Sequence, residues 1–302
     1  VGGVFASKNL IMASWEDIAN EIAPTGAPVT GLATGANRGR KTKIEGGSLA
    51  QVLGANRFLE CPAVAKTDGP DTIWGGREES NEAGSYYFID RAIVEYDSQN
   101  AGLLSRLQCA MANPPSSFLE GLAPEDLLFC DIETMGLSSS EPLFLIGAMR
   151  VVKGELRLQL FLARTLDEEK AAITAFSKIM RGKTLVTFNG KSFDWPFIEG
   201  RATRNLVRLP KPAGHFDLIF SARRRYRGQL PNCRLQTLEM GICKRGRKGD
   251  IPSSQIPDRY YDFLEISENG GQGAYLLAPI LFHNALDVLT MAELICCMAE
   301  GN

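Results

Sequence analysis

The sequence predicts an α/β domain built on a mixed sheet, and three observations lead there. "LLFCDIE" at 127–133 is a short, nearly continuous apolar run ending in acids, as in a buried strand. "LFLIGAMRVV" and "ELRLQLFLA" follow it, separated by Lys153-Gly154, a hairpin turn signal, so three antiparallel strands are expected. After them, strand-like "TLVTF" and "GHFDLIF" alternate with helical segments, which implies neighbours that run parallel.

The remaining elements are placed by caps and breakers. "TLDEEKAAITAFSKIMRG" reads as a helix, with Thr165 and Glu168 at capping-box spacing and Gly182 as its stop. Beyond the loop "NGKS", the stretch "FDWPFIEGRATRNL" is expected to be helical past its proline. Leu276 to Met298 closes the chain as a long helix. Residues 1–118 are less patterned: Gly/Thr/Pro/Asn-rich connectors surround a short helix in "SWEDIANEI" and a strand in "SYYFIDRAIVEY". The Pro-Pro-Ser-Ser of "CAMANPPSSFLEGLAPED" sets the boundary between this accessory region, 1–118, and a domain spanning 119–302.

A chain of 302 residues with 44% apolar content can bury substantial cores. Its seven cysteines are odd in number and contain no C-x-x-C, which suits reduced thiols and a cytoplasmic location. The first residues lack a basic and apolar leader, and no run reaches the roughly 18 apolar residues of a membrane span, so no membrane partner is expected. The net charge of −2 is unevenly spread. Residues 201–249 hold 13 Lys or Arg against Asp217 and Glu239, a net +11, which leaves −13 on the remainder. Such asymmetry points to a polyanionic partner, the alternative being a solvated basic surface.

Asp131 and Glu133, two apart on a strand, point to one face. Buried together they repel and lose hydration, which calls for a cation or a shared proton; on a surface strand the same pattern is commonplace. Asp194 follows the next clear strand and reads equally as a helix cap. His283 and Asp287 share one face of a helix that is apolar almost all round, where they are either a mutually satisfied pair or part of a site. Four carboxylates meeting at one sheet end would form an all-oxygen site suited to Mg²⁺ or Mn²⁺. Two such ions stabilise an in-line displacement at phosphorus, and a histidine beside them is placed to take a proton from water.

"FCDIETMGL", "LVTFNGKSFDWPFI" and "HNALDVL" together resemble the three motifs of the DEDD 3′–5′ exonuclease superfamily, and residues 125–299 resemble its YprB-like ribonuclease H-like domain family. The resemblance implies a ribonuclease H-like, five-stranded mixed sheet flanked by helices. It implies Asp131, Glu133, Asp194 and Asp287 as ligands for two divalent ions, with His283 as general base. His283 stands four residues before Asp287, the spacing at which a related subgroup carries tyrosine. The block around Asn189 also looks like the proofreading domain of family B DNA polymerases.

Asn189, Asn284, Arg223, Arg224, Arg225 and Arg227 are the expected substrate contacts, with Lys244, Arg245, Arg247 and Lys248 as further phosphate ligands. Phe193, Trp195, Tyr226 and Tyr260 are candidate stacking surfaces for bases, Phe193 also reading as core. Asp217 reads as a backbone hydrogen-bond acceptor and His215 as structural. The function expected is release of nucleoside 5′-monophosphates from a single strand or 3′ end, DNA and RNA being undistinguished. A non-catalytic nucleic-acid-binding module and an endonuclease are the rival readings.

Overall fold

The structure, a computed structural model, describes residues 49–301, which belong to one compact unit. The helix expected in "SWEDIANEI" lies outside them. In chain order, α1 (Leu49–Val52), β1 (Arg57–Glu60), β2 (Arg77–Asn81), β3 (Gly84–Ala92), α2 (Ile93–Tyr96) and α3 (Leu103–Ala112) lead into the hairpin region. β4 (Leu127–Thr134), β5 (Leu143–Val152), β6 (Glu155–Leu162), α4 (Glu169–Met180), β7 (Thr184–Thr187), α5 (Asp194–Arg204), β8 (Gly214–Asp217) and α6 (Leu218–Tyr226) come next. α7 (Leu235–Gly241), β9 (Arg245–Lys248), α8 (Ile256–Glu268) and α9 (Ala274–Glu300) complete the order.

The main sheet has seven strands, ordered β2-β3-β6-β5-β4-β7-β8, rather than the five expected. The extra pair is β2 and β3, which join through the antiparallel register Ile89↔Leu160. β2 reads Arg-Glu-Glu-Ser-Asn, with none of the apolar alternation that marks a strand from sequence. It is an edge strand, and charge there is tolerated by solvent and discourages further pairing. Residues assigned to the accessory region therefore supply part of this sheet. A separate parallel pair, β1 with β9, aligns Arg57 with Arg245 and Leu59 with Arg247.

β4, β5 and β6 form the expected antiparallel meander. Its two-residue turn holds Lys153 at φ 51° and Gly154 at φ 81°, the left-handed pair that a tight hairpin demands. β4, β7 and β8 are mutually parallel, so their C-terminal ends open on the same edge. Three local readings are corrected. "GHFDLIF" is a strand only to Asp217, whose carboxylate accepts from the Ile219 amide at 3.2 Å and starts α6. Thr165 makes no capping bond; a 3₁₀ turn precedes α4, and Glu168 accepts from the Arg164 amide at 2.7 Å instead. α5 starts at Asp194, ahead of Pro196, because a proline in the first turn forfeits no helical hydrogen bond.

Alternation along β4 separates two apolar layers. Leu127 and Phe129 face the layer containing Leu281, Phe282 and Ala285 of α9, whereas Leu128, Cys130 and Ile132 face Phe176 of α4 and Ile198 of α5. α9 corrects only the expected run length: by length and composition its 27 residues could cross a bilayer, and 94% of its most apolar window is buried inside the protein. A helix apolar on every side is accounted for here by burial on every side.

Candidate active site

Register carries the first two acids to the sheet's open edge. β4 pairs with β7 up to Phe129↔Val186, and Asp131 lies two residues further on, level with the turn that follows β7. Asp131 and Glu133 share the α9 face of β4, and Glu133 is buried. Asp194 stands at the first residue of α5, in the opposite layer, and is also buried. Crevices at the carboxyl ends of parallel strands are where ligands bind in open α/β sheets.

α9 supplies the next groups. Asn284, wholly buried, donates through Nδ2 to Asp131 Oδ2 at 2.8 Å and approaches Glu133 Oε1 at 3.5 Å. It reaches them because β5 places Gly147 opposite Asp131, and a β-carbon on Gly147 would lie 1.8 Å from Asn284 Oδ1. One turn along α9, Asp287 faces His283, with Nε2 to Oδ2 at 3.5 Å. The substrate contact expected of Asn284 is replaced by this buried bracing of the two β4 carboxylates.

Asp250 and Ser253, unmarked by the sequence reading, and Arg247, in a role other than the one expected of it, complete the site. Asp250 accepts from His283 Nδ1 at 2.9 Å, while Ser253 Oγ lies 3.2 Å from Nε2. Arg247 donates through Nη2 to Asp287 Oδ1 at 2.5 Å, through Nε to Glu239 at 2.6 Å and through Nη1 to Asp250 at 3.3 Å. Behind it, Arg245 is fully buried between Glu239, at 2.8 Å, and Glu293, at 2.9 Å. Glu293 also pairs with Arg57 at 2.5 Å. A chain of alternating charge thus runs from Asp287 to β1. Arg245 and Arg247, expected to meet phosphates, are instead committed to buried acids.

Burial raises Asp131 well above the usual carboxylate range, and Asp287, Asp194 and Glu133 add to the shift by repulsion. Burial first, then Asp287 against the opposing pull of His283, pushes Glu133 up to about 8. Asp194 is pushed up to about 7 by burial and by Asp217. His283 would be lowered by burial, but Asp287, the bond to Asp250 and Glu133 outweigh it and hold it up at about 9. The group is short of positive charge.

Its donors suit a hard divalent ion in kind, being buried, all-oxygen and mutually repelling. Asn284 Oδ1 is a further buried oxygen without a hydrogen-bond partner. In arrangement the group is not closed: among the described residues no three or more His, Cys, Asp or Glu side chains stand ready to hold a metal. Asp287 is turned to Arg247, and Asp131 shares an oxygen with Asn284.

A family model described as RNase_H superfamily matches residues 128–299, more than half of the chain and all of these acids. The chain belongs to the RNase_H superfamily. It is also similar to YprB, an uncharacterized protein of Bacillus subtilis (strain 168), with 33% identity over 185 residues covering 60% of this chain and 44% of that protein. The chain thus spans less than half of that relative's length. Among solved structures, the family B DNA polymerase of Pyrobaculum calidifontis aligns with 58% of this chain and 25% of its own, at 18% identity and a TM-score of 0.43. A complex of E. coli ExoI with single-stranded DNA, in its zinc-bound form, aligns with 47% of this chain and 39% of its own, at 17% identity and a TM-score of 0.31.

Around the edge of this RNase_H superfamily domain, the other expected contacts divide by burial. Arg223, Arg224 and Arg227 are exposed on and just after α6, as are Lys244 and Lys248 beside β9. Arg225 is half-buried, over the Tyr226 ring at 5.8 Å. Tyr226 and Tyr260 are core residues, Tyr260 stacked on Phe144 at 3.8 Å, which corrects their reading as base platforms. Phe193 lies 5.4 Å from Phe197, and Trp195 is half-buried. Asn189 is exposed at φ 67°. Asp217 fixes that loop, accepting from the amides of Asn189 at 2.7 Å and Lys191 at 3.1 Å, the backbone role expected of it. His215 Nε2 meets Thr187 Oγ1 at 2.8 Å.

Proposed function

We propose that this domain is a metal-dependent 3′–5′ exonuclease that releases nucleoside 5′-monophosphates from DNA or RNA. The observation that carries the reading is a buried acidic group, drawn from three separate segments, whose repulsion raises its own protonation and leaves it in need of cations. A pure binding module gains nothing from carboxylates facing a polyanion, and they destabilise the fold unless balanced.

Asp131, Glu133, Asp194 and Asp287 are the residues that would hold two Mg²⁺ or Mn²⁺ ions, which supply positive charge to the scissile phosphate. Asn284 braces Asp131 and Glu133 from below. Asp250 holds Nδ1 of His283, so Nε2, which faces Ser253 Oγ and Asp287 Oδ2, is the atom that would take a proton from water. With its level raised to about 9 by surrounding carboxylates, His283 can accept that proton near neutral pH only when those charges are balanced. Asn189 and the exposed Arg223, Arg224 and Arg227 supply contacts to the strand, and these need not read sequence. The resemblance to DEDD exonucleases in motif order supports exonucleolytic over internal cleavage.

The test uses 3′- and 5′-labelled single- and double-stranded DNA and RNA, and a circular single strand, each with Mn²⁺ and with chelator. Metal-dependent mononucleotide release from 3′ ends, with circles intact, is the expected result. Opened circles establish an endonuclease, and retention without product in Mn²⁺ establishes a binding module.

A further inference from the structure

α9 and the segment that enters β9 are joined by three contacts at two-residue steps. Arg247 meets Asp287 at 2.5 Å, Arg245 meets Glu293 at 2.9 Å, and the Cys243 thiol donates a hydrogen bond to Cys297 Sγ. Glu293 and Cys297, four residues apart, share one face of the helix. The first two contacts are ion pairs of the buried charge chain. The third joins two thiols, and neither the acidic group nor the exposed basic residues use it.

The pair is not sealed in the core. Both cysteines line a pocket of about 290 Å³, together with Asn56, Arg57, Asn100 and Arg106. Arg106 of α3 brings Nη2 to 3.8 Å from Cys297 Sγ while its Nε holds Glu300 at 2.8 Å. A guanidinium and a thiol donor beside one sulfur favour its thiolate, the form that acts as a nucleophile. The bond from Cys243, helped by Arg106, holds the Cys297 thiol below its usual range against burial, while that same bond and burial push Cys243 well above. Cys296, the next residue, is fully buried and is pushed up to about 12 by burial. One sulfur is thus prepared to attack, and its neighbour keeps the proton that a second step needs.

We infer that Cys297 and Cys243 are a redox-reactive pair that meets hydrogen peroxide in this pocket and closes to a disulfide between α9 and the segment entering β9. The Cys297 sulfur attacks one peroxide oxygen: an S–O bond forms, the O–O bond breaks and hydroxide leaves, which makes Cys297 a sulfenic acid. The Cys243 sulfur then attacks the Cys297 sulfur. An S–S bond forms, the S–O bond breaks, and the oxygen departs as water with the Cys243 proton. Two thiols are oxidised by two electrons, and one peroxide is reduced to two waters. None of this chemistry uses the acidic group or depends on the nuclease reading.

The fully reduced chain is treated with hydrogen peroxide for increasing times, alkylated under denaturing conditions and mapped by peptide mass spectrometry. Loss of two of the seven thiols is expected, with Cys243 linked to Cys297 before the exposed Cys109 is oxidised, and dithiothreitol should restore both. Dimedone, which traps sulfenic acids, should label Cys297 in Cys243→Ser, where no resolving thiol remains, and should leave Cys243 unlabelled in Cys297→Ser. Oxidation of Cys109 ahead of the pair, a link through Cys296, or dimedone on Cys243 in Cys297→Ser overturns the proposal. Mapping of the unmodified chain needs no variant, so it decides the matter even where a substitution impairs folding.

Discussion

Asn284 of α9 and Gly147 of β5 interlock, the amide oxygen lying where a β-carbon on residue 147 would stand, at 1.8 Å. The missing side chain is what lets a helix residue reach Asp131 and Glu133 across the sheet. Gly147→Ala must therefore push Asn284 away. A loss of about 1–3 kcal/mol is expected from the overpacking, with nucleotide release falling alongside it. Urea denaturation of Gly147→Ala, Asn284→Ala and the double variant checks the cause. If the two residues collide as described, the double variant is more stable than the sum of the single losses allows; strict additivity would refute the interlock.

Asp131→Asn separates the site's chemistry from its cost to the fold. Asp131 suffers both burial and the repulsion of Asp287, Asp194 and Glu133, so removing its charge relieves the metal-free protein. Stability at pH 8 is expected to rise, because a charge that burial and its neighbours disfavour is removed, while metal-dependent release and the thermal shift on adding Mn²⁺ are both lost. Calorimetry with and without Mn²⁺ measures each effect. A destabilised variant that still responds to Mn²⁺ would remove Asp131 from the metal-binding set.

The raised groups make a signed prediction about pH. Glu133 and Asp194, pushed up to about 8 and about 7, keep protons in the folded state that the unfolded chain gives up above its ordinary carboxylate range. Their contribution falls as pH rises towards 8. His283, held up at about 9, adds stability below its ordinary value that is lost as pH climbs through 9. The three act in the same direction, so the melting temperature of the metal-free protein should fall steadily from pH 5 to pH 9. Saturating Mn²⁺ replaces the protons and should flatten that slope. A melting temperature that is level or rises with pH in chelator contradicts the charge arrangement.

What was legible in the sequence follows from how local each signal is. Asp131 and Glu133 at two-residue spacing, and His283 and Asp287 at four, show their shared faces without knowledge of the partner elements. Lys153-Gly154 likewise specifies its own turn. Asp250 and the buried roles of Arg245 and Arg247 were not legible, because "KRGRKGD" looks like a solvated basic loop and those roles come from Glu239, Glu293 and Asp287, on other elements. β1 and β9 are four residues each and pair in parallel across most of the described chain, so neither carries a local strand pattern. Gly147 left one faint trace, a glycine inside an otherwise apolar strand, which marks close approach by another group.

The exposed arginines of α6 offer a test that is independent of the acids. Arg223 lies six residues after Asp217, about 9 Å along the helix axis, and Asp217 in turn holds the Asn189 loop at the sheet's open edge. Arg223 and Arg224 are thus placed to follow a strand leading into the site, and neither takes part in the buried ion-pair chain. Replacing both by alanine should leave the melting temperature within about 0.5 kcal/mol of stability of the parent and leave Mn²⁺ binding unchanged. Affinity for a single-stranded oligonucleotide should drop, and the plot of log affinity against log salt should become shallower by about 1.4, the loss expected for two phosphate contacts on a single strand. Fluorescence anisotropy across a salt series reads both quantities. An unchanged slope would mean that the strand does not pass over α6, and the basic surface beside β9, with Lys244 and Lys248 exposed, would then be its route.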